Sequence, residues 1–193
     1  MGVCEEKRKT NNKMNKRINE VEIKDSELKT LDRNINQVSP CVCKVIINEF
    51  NGSGFFIKLN INNKILFCLM TNEHVITREM VENKENIEIK YDYETKGIKI
   101  NLDNTERLIK DFKDIDIDAI IVEILPEDNI EGNYFLEPEL YNIKNIINNP
   151  IYILQYPLGN KICYSSGFIK KINDNEITHN STTKKGSSGS TIF

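Results

Sequence analysis

From Cys41 onward the chain breaks into short runs of β-branched and aromatic residues, each closed by Asn, Gly, Asp or Pro, and this texture constrains the fold more than any other feature. Six runs precede residue 125: Cys41–Glu49, Gly54–Leu59, Lys64–Met70, Ile87–Tyr93, Gly97–Leu102 and Ala119–Ile124. The joints carry turn chemistry, with Asn51-Gly52-Ser53-Gly54, Asn62-Asn63 and Lys96-Gly97 all suited to hairpins. Many short strands at this spacing predict an antiparallel sandwich or barrel.

A second series follows, with runs at Ile151–Tyr156, Lys161–Tyr164, Gly167–Ile172 and Glu176–His179 and a further start at Ser190-Thr191-Ile192-Phe193. Between the two series lies a connector from about Pro126 to the Asn148-Asn149-Pro150 breaker. It carries Glu127, Asp128 and Glu131 and reads as an interdomain crossing. The expected division is a polar extension (1–40), a first barrel (41–127), the connector (128–149) and a partial second barrel (150–193), short by one or two strands. The extension holds only sparse apolar positions (Met14, Ile18, Val21, Ile23, Leu28, Leu31) and predicts a marginal amphipathic helix or disorder.

At 193 residues, 39% hydrophobic and 28% charged, the composition is that of a soluble globular protein with one large or two small domains. A formal net charge of -3 supplies no overall basic field, which disfavours nucleic acid as the main partner although the first seventeen residues are locally basic. The five cysteines (Cys4, Cys41, Cys43, Cys68, Cys163) lack metal-site spacing and read as reduced, partly buried thiols. The amino terminus has no apolar run of the secretory kind, and no later stretch is long enough to cross a bilayer as a helix. The expected location is therefore the cytoplasm. Gly2 and Cys4, followed by Lys7, Arg8, Lys9, Lys13, Lys16 and Arg17, are where lipid would attach if the terminus reached a membrane surface. Glu6 stands where that motif wants Ser or Thr, so a solvated tail is the favoured reading.

Only two histidines, His74 and His179, are available as a neutral-pH imidazole base. His74 follows an apolar strand directly, where a side chain leaves the core and meets a cleft. Gly186-Ser187-Ser188-Gly189-Ser190 then offers a serine flanked by glycines, whose sharp turn can expose the Ser188 hydroxyl and aim the Gly186 and Ser188 amides at one oxyanion. A carboxylate must fix the imidazole tautomer, and Asp118, opening the apolar run Ala119–Ile124, is the choice because burial there demands a partner. Asp114 and Asp116 are rivals within the alternating stretch Asp111–Asp118, whose blander reading is the polar face of a strand.

These residues resemble the chymotrypsin-like serine peptidases. The order His, Asp, Ser is that family's. Gly52-Ser53-Gly54-Phe55-Phe56-Ile57 is similar to its Gly-x-Gly-Phe strand, and Thr71-Asn72-Glu73-His74-Val75 to its Thr-x-x-His-Val box. Tyr156-Pro157-Leu158-Gly159, Ser166-Gly167-Phe168-Ile169 and Gly186-Ser187-Ser188-Gly189-Ser190 resemble successive landmarks of its second barrel. The likeness is to the simpler HtrA-type and staphylococcal glutamyl endopeptidases. No Cys stands beside His74, Ser187 replaces the Asp of pancreatic enzymes, and Thr191 stands where Pro is common.

The resemblance implies an all-β fold of two six-stranded-type Greek-key barrels, the second incomplete. It also implies peptide-bond hydrolysis through His74, Asp118 and Ser188, a peptide or protein substrate, and neither metal nor organic cofactor. It puts Thr182 and Thr183 at the floor of the substrate pocket, with a small or polar side chain accepted. In the family, strands beyond the point reached by Phe193 complete the pocket wall, so the activity of these residues alone is in question. The unpaired sheet edge is then an aggregation or partner-pairing site. Two rivals stay open: a catalytically inactive protease-like domain that binds peptides or proteins, and a thiol hydrolase using Cys163 with His179.

Overall fold

The computed structural model describes residues 34–138, 146–173 and 176–193. Residues 34–38 are helical and run into a 3-10 turn, Ser39–Cys41. Gly2, Cys4 and most of the 1–40 extension lie outside the described residues. Ile35 is buried against Val42, Leu154 and Tyr156, so the end of the extension is part of the folded body rather than a free tail.

Seven strands form the first sheet: β1 (Val42–Ile47), β2 (Phe50–Ile61), β3 (Lys64–Thr71), β4 (Asn86–Tyr91), β5 (Lys96–Asn101), β6 (Ile109–Asp111) and β7 (Ile120–Glu123). They pair antiparallel in the order β5-β4-β1-β2-β3-β7-β6, and the sheet curls around one apolar core. In β4, Ile87, Ile89 and Tyr91 point into that core while Glu88 and Lys90 alternate outward, the period of two that a one-sided strand requires. Cys43, Val45, Phe56, Leu69, Ile100 and Val122 close it, each side chain contributing about 1.5–3 kcal/mol by leaving water.

β1 departs from clean alternation because its second face packs on the other half of the molecule. There Val42 joins Leu154 and Tyr156, and Lys44, 8% exposed, bonds Glu94 (2.8 Å) and the Gly159 carbonyl (3.1 Å).

Four strands make the second sheet, β8 (Pro150–Gln155), β9 (Cys163–Ile172), β10 (Ile177–His179) and β11 (Thr191–Ile192), in the order β10-β9-β8-β11. The chain is thus mostly β, with two curled antiparallel half-barrels, the second smaller, as the family resemblance implies.

Several local expectations are corrected. Asn51-Gly52-Ser53-Gly54 is no turn; it lies inside β2, and the reversal falls at Asn48, whose φ is 52°. The third hairpin turns not at Lys96-Gly97 but at Asp92, Tyr93 and Glu94, all with positive φ. Asn62-Asn63 does form a two-residue turn, with φ 52° and 61°, the left-handed pair that Asn tolerates. The runs at 161–164 and 167–172 are one strand, β9, paired with β8 from Cys163 to Phe168. The stretch 111–118 is not an alternating strand; after β6 it folds into a 3-10 turn, Lys113–Ile115, capped by Asp116 in the left-handed region at φ 60°.

The described part of the connector packs on the first sheet. Tyr134 and Phe135 enter the first core, Phe135 packing tilted against Phe56 and edge-on to Phe67, and Leu136 bridges in parallel to Ile57.

Candidate active site

His74 sits in the turn between β3 and a short helix, Arg78–Glu82. The amides of Val75 and Ile76 both donate to the Asn72 carbonyl (3.1 and 3.3 Å), and Thr77 caps the helix by accepting the Met80 N–H. Ile76, fully buried, and Glu73, 6% exposed, root the turn in the protein on either side of the exposed His74.

Asp118 faces the same turn from the segment ahead of β7. Its Oδ1 accepts the His74 backbone N–H (3.0 Å) and its Oδ2 lies 2.6 Å from His74 Nδ1, while the Asn72 side-chain amide donates to its carbonyl (2.6 Å). Burial pushes the Asp118 carboxyl up, but hydrogen bonds from the His74 backbone and ring, their charge interaction and the Glu73 N–H outweigh it, and the net direction is down. An ionised carboxylate only accepts, so the proton of this bond belongs to Nδ1, and in the neutral imidazole Nε2 is then the nitrogen that carries the lone pair. One expectation is corrected here: Asp118 is not interred at the strand entrance. It lies two residues before β7 at the surface, its side chain 50% exposed and that of His74 56% exposed.

Ion pairs brace the two segments against each other. Arg78 reaches Asp111 (2.7 Å) and Asp114 (2.9 Å), and Lys113 binds both oxygens of the buried Glu73 (3.1 and 3.2 Å). Asp114 is therefore engaged with Arg78 and Asp116 is a turn cap, and neither is bonded to His74.

Ser188 lies on a turn bounded by Gly186 (φ 89°) and Gly189 (φ 86°), where a side chain is strained whatever the space. At Gly189 an added Cβ would collide with Ser53 O and Thr71 Oγ1. The turn is closed by Ser187 N–H to Lys184 O (3.0 Å), Ser190 N–H to Ser187 O (3.1 Å) and Lys184 N–H to Ser187 Oγ (3.2 Å). It is also tied to β2, where Ser53 N–H donates to Ser188 O (2.8 Å). A Cβ on the neighbouring Gly52 would stand 2.7 Å from Val75 Cγ1 and 3.5 Å from Ser188 O, so the chain next to His74 and the chain at Ser188 converge on one glycine.

Among the described residues no hydrogen bond joins the His74 ring to the Ser188 hydroxyl, and the Gly186 and Ser188 amides donate to no other group. Thr182 and Thr183 are exposed, and the Thr182 carbonyl accepts from Gln155 Nε2 (3.1 Å). A cavity of about 660 Å³ nearby is lined by Lys44, Glu94, residues 157–163 and Lys184, and includes neither threonine nor any of His74, Asp118 and Ser188.

His179 pairs with Ile169 on β9, six residues along the strand from Cys163, or roughly 20 Å at ~3.3 Å per residue. The two are not brought together. Among the described residues no three His, Cys, Asp or Glu side chains are grouped to hold a metal ion, and no helix is long and apolar enough to cross a membrane.

Sequence reasoning misses four residues around the site. Ser53 reads locally as part of a turn, and the Glu73–Lys113 pair has no sequence signal beyond the unusual acid beside His74. Gln155, buried under the turn and bonded to Ser165 Oγ (3.1 Å), passes as one more strand position.

Comparison with known proteins agrees with the architecture. The chain of the Deg5 crystal structure superposes with a TM-score of 0.64 at 18% identity, covering 90% of this chain and 82% of that one. The serine endoprotease from Yersinia pestis gives 0.58 at 16%, covering 83% of this chain and 52% of its own. The Rv3671c protease of M. tuberculosis H37Rv, in an inactive form, gives 0.55 at 16%, covering 82% and 74%. At these identities the likeness is one of fold. No curated protein matches the chain by sequence. The trypsin-like peptidase domain family matches residues 52–193, most of the chain. The chain belongs to that family, and its class is that of the serine-type endopeptidases.

Proposed function

We propose that the chain hydrolyses peptide bonds through Ser188, His74 and Asp118, and the observation that carries this reading is the double acceptance of His74 by Asp118. That contact holds the imidazole with Nδ1 protonated and Nε2 free, the state a general base needs. In acylation, the Ser188 Oγ–C bond forms as the serine proton passes to Nε2. The carbonyl π pair moves to oxygen, which the unengaged Gly186 and Ser188 amides receive. The C–N bond then breaks, and the proton on Nε2 goes to the leaving amine. Water repeats the sequence: its proton goes to Nε2, its oxygen bonds the acyl carbon, and Ser188 leaves with that proton. Asp118 stays ionised and offsets the charge of the imidazolium. Thr182 and Thr183 border the place where the side chain before the scissile bond lies, and their size and hydroxyls favour a small or polar residue. The free thiols Cys41, Cys43, Cys68 and Cys163 suit a reducing compartment, and we assign the protein to the cytoplasm on that ground.

A second reading, a non-catalytic module that binds peptides, is favoured because no hydrogen bond joins the His74 ring to the Ser188 hydroxyl among the described residues. An alkyl fluorophosphonate separates the two. In the serine enzyme the Ser188 Oγ–P bond forms as P–F breaks, fluoride leaves and the serine proton passes through His74 to water. The triad predicts labelling that Ser188→Ala abolishes; a folded protein that takes no label is the binder.

A further inference from the structure

Ser53 is fully buried in β2; three of its four polar functions reach across the junction between the two sheets, and the fourth ties β2 to the end of β3. Its N–H donates to the Ser188 carbonyl (2.8 Å) and its C=O accepts the Thr71 hydroxyl (2.7 Å). Its own hydroxyl donates to the Gly186 carbonyl (2.8 Å) and accepts the Tyr156 N–H (3.0 Å). The partners are the carbonyls at both ends of Gly186-Ser187-Ser188, the residue that ends β3 three positions before His74, and the residue that follows β8. One buried residue thus registers the nucleophile turn against both sheets, its hydroxyl joining the turn to the end of β8 and its backbone joining it to the histidine strand.

A hydroxyl is suited to this task because the side chain must donate and accept at once. Alanine would leave Gly186 O and Tyr156 N–H buried without partners. Fixing the Gly186 and Ser188 carbonyls fixes the peptide planes that follow both residues. Together with the closed turn 184–187, this sets where the two candidate oxyanion amides and the Ser188 hydroxyl point.

We propose that Ser53 is a positioning residue, whose hydroxyl sets the conformation of the 186–190 turn and through it the aim of Ser188 and its neighbouring amides. It touches no substrate. Its catalytic consequence rests on the triad reading; its hold on the turn does not. Two measurements keep these apart.

Hydrogen exchange on the whole chain, read by mass spectrometry, is expected to show the peptide covering 184–190 exchanging roughly tenfold faster in Ser53→Ala, with protection elsewhere retained. Ser53→Thr, which keeps the hydroxyl, is expected to restore most of the protection, and Ile89→Val, a core change remote from the junction, to leave that peptide unaltered. Fluorophosphonate kinetics are expected to show the maximal inactivation rate lowered roughly tenfold to a hundredfold in Ser53→Ala, at an unchanged half-saturating concentration. Unaltered exchange at 184–190 in Ser53→Ala overturns the proposal, as does a loss of protection spread over the whole chain. If the unsubstituted protein takes no label while the local exchange effect is present, the triad reading fails and the role of Ser53 in holding the turn stands.

Discussion

Asp118 is tuned by its contacts rather than by depth. With its side chain half exposed, its pKa is depressed below the ordinary 3.8 because the N–H groups aimed at it outweigh the cost of its partial burial. A depressed carboxyl contributes stability that is present above the unfolded value and lost as pH falls through the folded one, so the His74–Asp118 contact is intact at neutral pH and fails only in acid. Asp118→Asn is expected to leave thermal unfolding nearly unchanged, since the amide keeps the shape, yet to slow turnover by ~10⁴-fold through the wrong imidazole tautomer. Asp116→Asn, at an exposed turn cap, is expected to leave turnover unaltered; equal losses from the two would transfer the orienting role away from Asp118.

Legibility at this scale follows the range of the interaction. Asn62-Asn63 is readable because positive φ is a local preference of Asn. Ser53 is not, because its hydroxyl partners lie 133 and 103 residues away.

The elements that carry the site depend on one buried ion pair remote from it. Arg107 and Asp128, with side chains 5% and 6% exposed, meet at 2.8 and 3.3 Å; Arg107 also donates to Glu123 O, and Asp128 accepts the Leu125 N–H. The pair joins the entrance of β6 to the exit of β7, and β7 begins two residues after Asp118. Removing one partner strands a buried charge, so Asp128→Ala is expected to cost about 3–5 kcal/mol. The check is urea unfolding monitored by circular dichroism, and a loss below about 1 kcal/mol would mean that solvent reaches the pair.

Neither member announces itself in the sequence, where Asp128 reads as one of three acids in a polar connector. The same holds for β9. Gly167 reads as a break between two short strands, but it sits opposite Ile151 within an unbroken ladder, where the close approach of Ser181 leaves no room for a Cβ. Strand existence is legible from β-branched runs, whereas strand extent is decided by cross-strand pairing that no local window contains.

Across the whole molecule, the two half-barrels are legible in outline because turn signals recur and His, Asp and Ser stand in a family-specific order. Their junction is not, since it is built from distant residues: Val42 with Leu154 and Tyr156, Lys44 with Gly159, and Ser53 with Gly186 and Ser188. The site depends on that junction, since His74 and Asp118 come from one sheet system and Ser188 from the other.

The most direct test is to mix the chain with a p-nitrophenyl ester of a short peptide, quench in acid and locate the retained acyl group by tandem mass spectrometry. The account predicts one acyl group on Ser188, absent in His74→Ala and in Ser188→Ala. An acyl group on Cys163 or a lysine instead, or acylation of Ser188 that survives His74→Ala undiminished, would contradict it.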